Sequence, residues 1–113
     1  MLIKKDERKE KVMKECTVWE YDFKNKSIQF ALARINGRYP DSGKGMNKVC
    51  YMIYHVIEGR GRLFVDDEEH ELKKGDTFLI EPGKKYYIIG QNLILAIPTS
   101  PAWYPEQYEI IKE

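Results

Sequence analysis

The sequence predicts an all-β domain, either a sandwich or a barrel. Three observations carry this. Apolar runs of strand length recur at roughly 8- to 12-residue intervals, turn-forming residues separate them, and no run persists through the three turns that an amphipathic helix needs. With 113 residues, 42% of them hydrophobic, the chain can bury one modest core, so a single domain is expected.

Taken in order, residues 1–15 read as a charged N-terminal arm and 16–113 as the domain. Residues 4–15 are almost all Lys, Glu, Asp and Arg. Pairs such as Glu10 with Lys14 suit a helical turn, and a solvated arm or a swapped strand fits as well. The run CTVWEYDF (16–23) sets Val18 and Tyr21 among polar neighbours and ends at the turn-like KNKS. IQFALARI (28–35) follows, closed by the turn dipeptide Asn36-Gly37. RYPDSGKGMN (38–47), rich in Gly, Pro, Asp, Ser and Asn, reads as a loop. KVCYMIYHVI (48–57), dense in β-branched and aromatic residues, is the clearest strand.

Beyond it, EGRG is expected to turn the chain into RLFV, with Gly59 and Gly61 allowing positive φ where it doubles back. DDEE then makes a hairpin into HEL, KKGD opens TFLIE, PGKK opens YYII and GQN opens LILAIP. Pro101 and Pro105 exclude a central strand for PAWYPEQY, which is expected to run extended across one end of the domain.

Charge and composition exclude several classes. With 19 basic against 18 acidic residues, a net charge near +1 gives no general attraction to nucleic acid or anionic lipid. Apolar runs such as LILAI (93–97) fall far short of the roughly 20 residues that span a bilayer. The opening MLIKKDERKEK places charge where a secretory signal needs an apolar stretch, so a cytoplasmic location is expected. Cys16 and Cys50 read as two reduced thiols, too few for a disulfide framework.

YHVIEGRGRLFV (54–65) and GDTFLIEPGKKY (75–86) resemble the two motifs of the cupin superfamily, and SPAWYPEQYEI (100–110) resembles the segment that follows the last barrel strand in many small cupins. The resemblance covers roughly residues 28–108 and implies a jelly-roll barrel of the double-stranded β-helix type. The first cupin motif has two metal-binding histidines and a glutamate before its glycine. Counting back from Gly59 puts Met52 at the glutamate position and the histidine positions among Gly45, Met46, Asn47 and Lys48. In the second motif, Gly75, Pro82 and Gly83 keep their spacing while Tyr86 stands in the histidine place. The resemblance therefore implies the family's barrel with its metal ligands replaced, and no cofactor is expected. The superfamily holds enzymes, storage proteins and sensors, so fold alone does not assign an activity.

Strand parity selects the candidate interior. If Met52 points inward, so do Cys50, Tyr54 and Val56, while Tyr51, Ile53 and His55 point outward; Tyr86 and Ile88 join the inner set. His70, beside the acidic hairpin, is expected at a solvent-exposed strand end. Two histidines on different faces do not make a transition-metal site. The candidate ligand-binding residues are Arg34, Cys50, Met52, Tyr54, Tyr86 and Trp103. Met52 and Cys50 also suit plain packing. The hydroxyls of Tyr54 and Tyr86 need partners if buried. Trp103 either closes a pocket mouth or anchors the tail. An inward Arg34 needs Glu81 or a ligand carboxylate or phosphate, and otherwise sits in solvent on an edge strand.

Three functions follow as expectations. The first is metal-free binding of a sugar-like, aromatic or carboxylate small molecule. The second is a metal-independent isomerase, epimerase or lyase acting on sugars. The third is a barrel serving only dimerisation, with Tyr51, Ile53 and His55 forming a homodimer face.

Overall fold

The computed structural model describes residues 1–112. It comprises nine strands and two three-residue 3-10 turns, Lys5–Glu7 and Pro105–Gln107. The strands are β1 (Lys9–Val12), β2 (Cys16–Tyr21), β3 (Gln29–Tyr39), β4 (Lys44–Asn47), β5 (Tyr51–Val65), β6 (Glu68–Lys73), β7 (Thr77–Ile80), β8 (Lys85–Ser100) and β9 (Tyr108–Ile111). The all-β expectation holds.

Two long strands form the spine. β5 and β8 pair antiparallel from Tyr51↔Ser100 to Val65↔Tyr86, so each runs along almost the full length of the other. β3 flanks the other side of β8, and β2 and β1 continue outward from it. β6 and β7 pair with β5, while β4 lies between β8 and β9. The sheet curls until its inner faces meet. Ala33 and Ile35 of β3, Met52, Tyr54, Val56 and Leu63 of β5, Ile80 of β7, and Tyr86, Ile88, Leu93 and Leu95 of β8 share one core. Alternation on β5 follows the expected parity, with Met52, Tyr54 and Val56 buried and Tyr51 half-exposed.

Several turn expectations are corrected. EGRG does not reverse the chain, because β5 runs through it with register shifts on either side of Glu58. Gly59 sits at φ 75, and a Cβ there would strike the backbone carbonyl of Asn92, so the glycine bends the strand and leaves its direction unchanged. GQN likewise lies inside β8, and Asn36-Gly37 lies inside β3 as a bulge, with Gly37 at φ 117. Reversal happens at Asp66 and Asp67, both at positive φ, in the tight hairpin joining β5 to β6.

The loop expected over 38–47 shrinks to residues 40–43. Arg38 donates to the carbonyls of Pro40 (2.8 Å) and Gly43 (2.9 Å), which satisfies that turn, and β4 is paired on both edges. Those ladder bonds outweigh the poor strand propensity of its sequence. Within the stretch read as an arm, β1 pairs with β2 from Lys9↔Glu20 to Val12↔Thr17. The C-terminal segment is latched by Gln107, which is buried. Its Oε1 accepts from the backbone N–H of Val49 (3.2 Å) and Cys50 (3.1 Å), and its Nε2 donates to Asn47 Oδ1 (2.8 Å).

Candidate functional site

One cavity of about 190 Å³ lies inside the curled sheet. It exists because β3 presents Ala31 and Ala33 where neighbouring strands present larger side chains. Residues two apart on each strand wall it: Cys16, Val18 and Glu20 from β2, Met52 and Tyr54 from β5, Ile97 and Thr99 from β8. Tyr39, Tyr86 and Tyr108 complete the interior, and Trp103 stands at the mouth.

Phenols dominate this interior. Tyr54 and Tyr86 meet edge to face, with ring centroids 6.1 Å apart and planes at 90°. Burial pushes the pKa values of both well above the ordinary tyrosine value, and the neighbouring phenols raise them further. Tyr39 and Tyr108 are raised for the same first reason. All four therefore stay protonated near neutrality and act as neutral donors and acceptors. Tyr108 lies near enough to Tyr39 and Tyr86 to influence their ionisation, but the approach lacks hydrogen-bond geometry and leaves its hydroxyl unpartnered. Thr99, 6% exposed, also has an unpartnered hydroxyl. Burial pushes the Cys16 thiol up to about 12, which keeps it protonated and unreactive.

The mouth is polar. Glu20 accepts from Lys11 Nζ (3.2 Å) and from Gln29 Nε2 (3.3 Å). Lys11 also stands 5.7 Å from the centre of the Trp103 ring, and that ring lies 5.7 Å from the ring of Tyr108. Trp103 therefore borders the opening and lies between Lys11 of β1 and Tyr108 of β9. Outside, a groove of about 820 Å³ shares Lys11, Glu20, Gln29 and Trp103 with the cavity.

The structure brings Met52, Tyr54, Tyr86 and Trp103 together, and leaves two candidates elsewhere. Cys50 precedes β5 and does not line the cavity. It is fully buried under the C-terminal segment, with Sγ donating to the Pro101 carbonyl at 3.3 Å, and burial raises its pKa. Arg34 alternates outward between buried Ala33 and Ile35 and is exposed on a strand paired on both sides, so it is neither inward nor on an edge. Glu81 is exposed and makes no ion pair with it. His70 is half-buried within β6, its ring 4.8 Å from Phe78, and does not sit at a strand end. His55 faces outward as expected, bonded to Thr77 Oγ1 at 2.7 Å.

Sequence reasoning missed Tyr39, Thr99 and Tyr108 as wall residues. Tyr39 was hidden by the loop reading of 38–47. Thr99 carried a legible signal, as the one polar member of the inward series Leu93, Leu95, Ile97, Thr99.

A family model for the Cupin domain matches residues 49–91. The backbone superposes on that of Pac13, a nucleoside dehydratase from Streptomyces, with a TM-score of 0.86 at 13% identity, covering 95% of this chain and 87% of that one. The chain carries a cupin-domain match and has the fold of a small cupin. Another structure similar to this cupin is ectoine synthase from P. lautus, with a TM-score of 0.72 at 13% identity over 90% of this chain and 80% of that one. An uncharacterised protein of Methanocaldococcus jannaschii is 53% identical over 30 residues, or 26% of this chain, which thus spans about a quarter (24%) of that relative.

Cupins as a family commonly hold a metal ion in the barrel. Among the described residues no three or more His, Cys, Asp or Glu side chains converge to hold one. The cavity offers a thioether, phenols, a threonine hydroxyl, a protonated thiol and a single carboxylate, Glu20, which is already paired with Lys11, a set that does not fit a first-row divalent cation.

Proposed function

We propose that this cupin binds a small, hydroxyl-bearing organic molecule inside its barrel, through neutral hydrogen bonds and without a metal. One observation carries the reading. The two residues whose buried side-chain hydroxyls lack a partner among the described residues, Thr99 and Tyr108, both line the same cavity. A buried unpaired hydroxyl costs about 1–3 kcal/mol, and a ligand that pairs with both recovers that. The volume lies below the roughly 300–1,000 Å³ of pockets for drug-sized ligands, which favours a metabolite with one or two rings.

The structural likeness to Pac13 supports the size and polarity of such a ligand. That protein has been solved with uridine in a histidine-to-glutamine and two tyrosine-to-phenylalanine variants. A nucleoside is a neutral, hydroxyl-rich body with one flat ring. Binding is the conclusion here, ahead of turnover, because the interior phenols and thiol are held protonated and Glu20 is engaged by Lys11 and Gln29.

Thr99→Val tests this with two readouts of opposite sign. Removing an unsatisfied buried hydroxyl should stabilise the free protein by about 1 kcal/mol, read by denaturant unfolding, while weakening binding about tenfold. Tyr86→Phe should weaken binding by a similar factor. The binding readout is isothermal titration with uridine, ribose, glucose and 4-hydroxybenzoate. If Thr99→Val destabilises the free protein, or if no probe binds, the reading is wrong.

A further inference from the structure

We propose that the molecule held in the cavity carries a phosphate monoester on the end that emerges at the mouth. This rests on the cavity-binding reading above and adds the chemical class of the ligand.

The cavity continues outward. Lys11, Glu20, Gln29 and Trp103 also wall the groove, which runs between β1, the turn joining β2 to β3, and the segment from Pro101 to Pro105. Lysines enter this groove from two sides. Lys9 and Lys11 stand two apart on β1, hence on one face of it, and Lys24 and Lys26 come from the facing turn. That turn is held in shape. Lys24 sits at φ 53 with its N–H donating to Asp22 Oδ1 (2.8 Å), and Ser27 N–H donates to Asn25 Oδ1 (2.8 Å). Ala102 N–H donates to the Lys26 carbonyl (2.9 Å) and Ser100 Oγ to the Ser27 carbonyl (2.9 Å), so the turn is tied to the C-terminal segment.

The charges in the groove do not cancel. Its two carboxylates are already engaged, Glu20 by Lys11 and Gln29, Asp22 by the Lys24 amide. Lys9, Lys24 and Lys26 form no ion pair among the described residues. Four lysines against the two carboxylates Glu20 and Asp22 leave a net charge of +2 along the groove, more than one carboxylate would neutralise. A phosphate monoester, with about −1.5 to −2 charge at neutral pH, matches them better, and lysines serve phosphate as point charges. The inner chamber beyond Trp103 is lined by neutral side chains, with Lys11 and Glu20 at its rim. The ligand's orientation follows: neutral body inside, phosphate outside, and the ring face of Trp103 between them.

The test compares partners that differ only in the phosphate: uridine with uridine 5′-monophosphate, and ribose with ribose 5-phosphate. At about 0.05 M salt the phosphorylated member of a pair should bind at least tenfold more tightly, and the advantage should collapse at about 0.5 M, where the Debye length is only a few ångströms. The triple variant Lys9→Gln, Lys24→Asn, Lys26→Gln should abolish the advantage and leave the neutral member's affinity unchanged. Asparagine is used at position 24 because it tolerates the left-handed backbone there. If a neutral member binds and its phosphate adds nothing, or if the advantage survives the triple variant, the phosphate subsite is refuted and the cavity reading stands. If none of the four binds, the cavity reading fails and this proposal fails with it.

Discussion

Tyr39, Tyr54, Tyr86 and Tyr108 give the interior its chemistry, and their environment makes a testable statement about pH. Desolvation is the first cause of each raised pKa, so the folded barrel favours the neutral phenol over the phenolate. A folded pKa above the unfolded value of about 10 means that the native state holds protons the unfolded chain would release. The stability these groups contribute is therefore fully present below about pH 10 and falls as pH rises beyond it. In a spectrophotometric titration, the phenolate signal of these four residues should appear in the same alkaline step that abolishes near-ultraviolet circular dichroism. Ionisation of the buried set ahead of unfolding would show that water already reaches them. At this scale parity worked for Tyr54 and Tyr86 because both lie within regular stretches. It failed for Cys50, which precedes β5 and answers to the Gln107 latch instead of the strand. It left Arg34 open, since a single charge between Ala33 and Ile35 reads equally well facing either way.

The strands were legible as apolar runs, but their ends were not. Gly59, Gly90 and Asn36-Gly37 look like chain reversals in sequence, whereas each lies inside a strand that bends. A positive φ serves a bulge as well as a turn, and only long-range pairing distinguishes them. The true reversal at Asp66-Asp67 was legible because two turn-forming residues stand between strands whose register closes directly around them. Substitution at glycine separates the two uses. Gly59→Ala meets both a positive φ and the Asn92 carbonyl, so it should cost ~3 kcal/mol or more. Gly75→Ala, at φ 91 with nothing within 4 Å of the added Cβ, should lose only about 1–2 kcal/mol. Denaturant midpoints of the two variants measure the difference, and equal losses would mean that β5 has no close approach to β8 at the bulge.

For the whole molecule, the curl of β5 against β8 places a mostly apolar hole, edged by phenols and a threonine, where a fully packed barrel would have core. No helix among the described residues is long and apolar enough to cross a membrane. The cupin architecture was legible from the spacing of Gly75, Pro82 and Gly83, which are backbone requirements that a sequence records directly. The cavity was legible only in part. Its walls bring together Ala31 and Ala33 of β3, Tyr54 of β5 and Tyr86 of β8, strands far apart in the chain, and only the folded sheet shows that Thr99 and Tyr108 are buried without partners. The central claim is that these side chains face a space that a small polar molecule enters. The most direct measurement is a titration of the protein carrying 13C-labelled tyrosine with uridine, followed by NMR of the ring signals. The rings of Tyr39, Tyr54, Tyr86 and Tyr108 are expected to shift together and saturably, while exposed Tyr51 stays in place. Saturable binding that moves Tyr51 and leaves the four interior rings untouched would contradict the account.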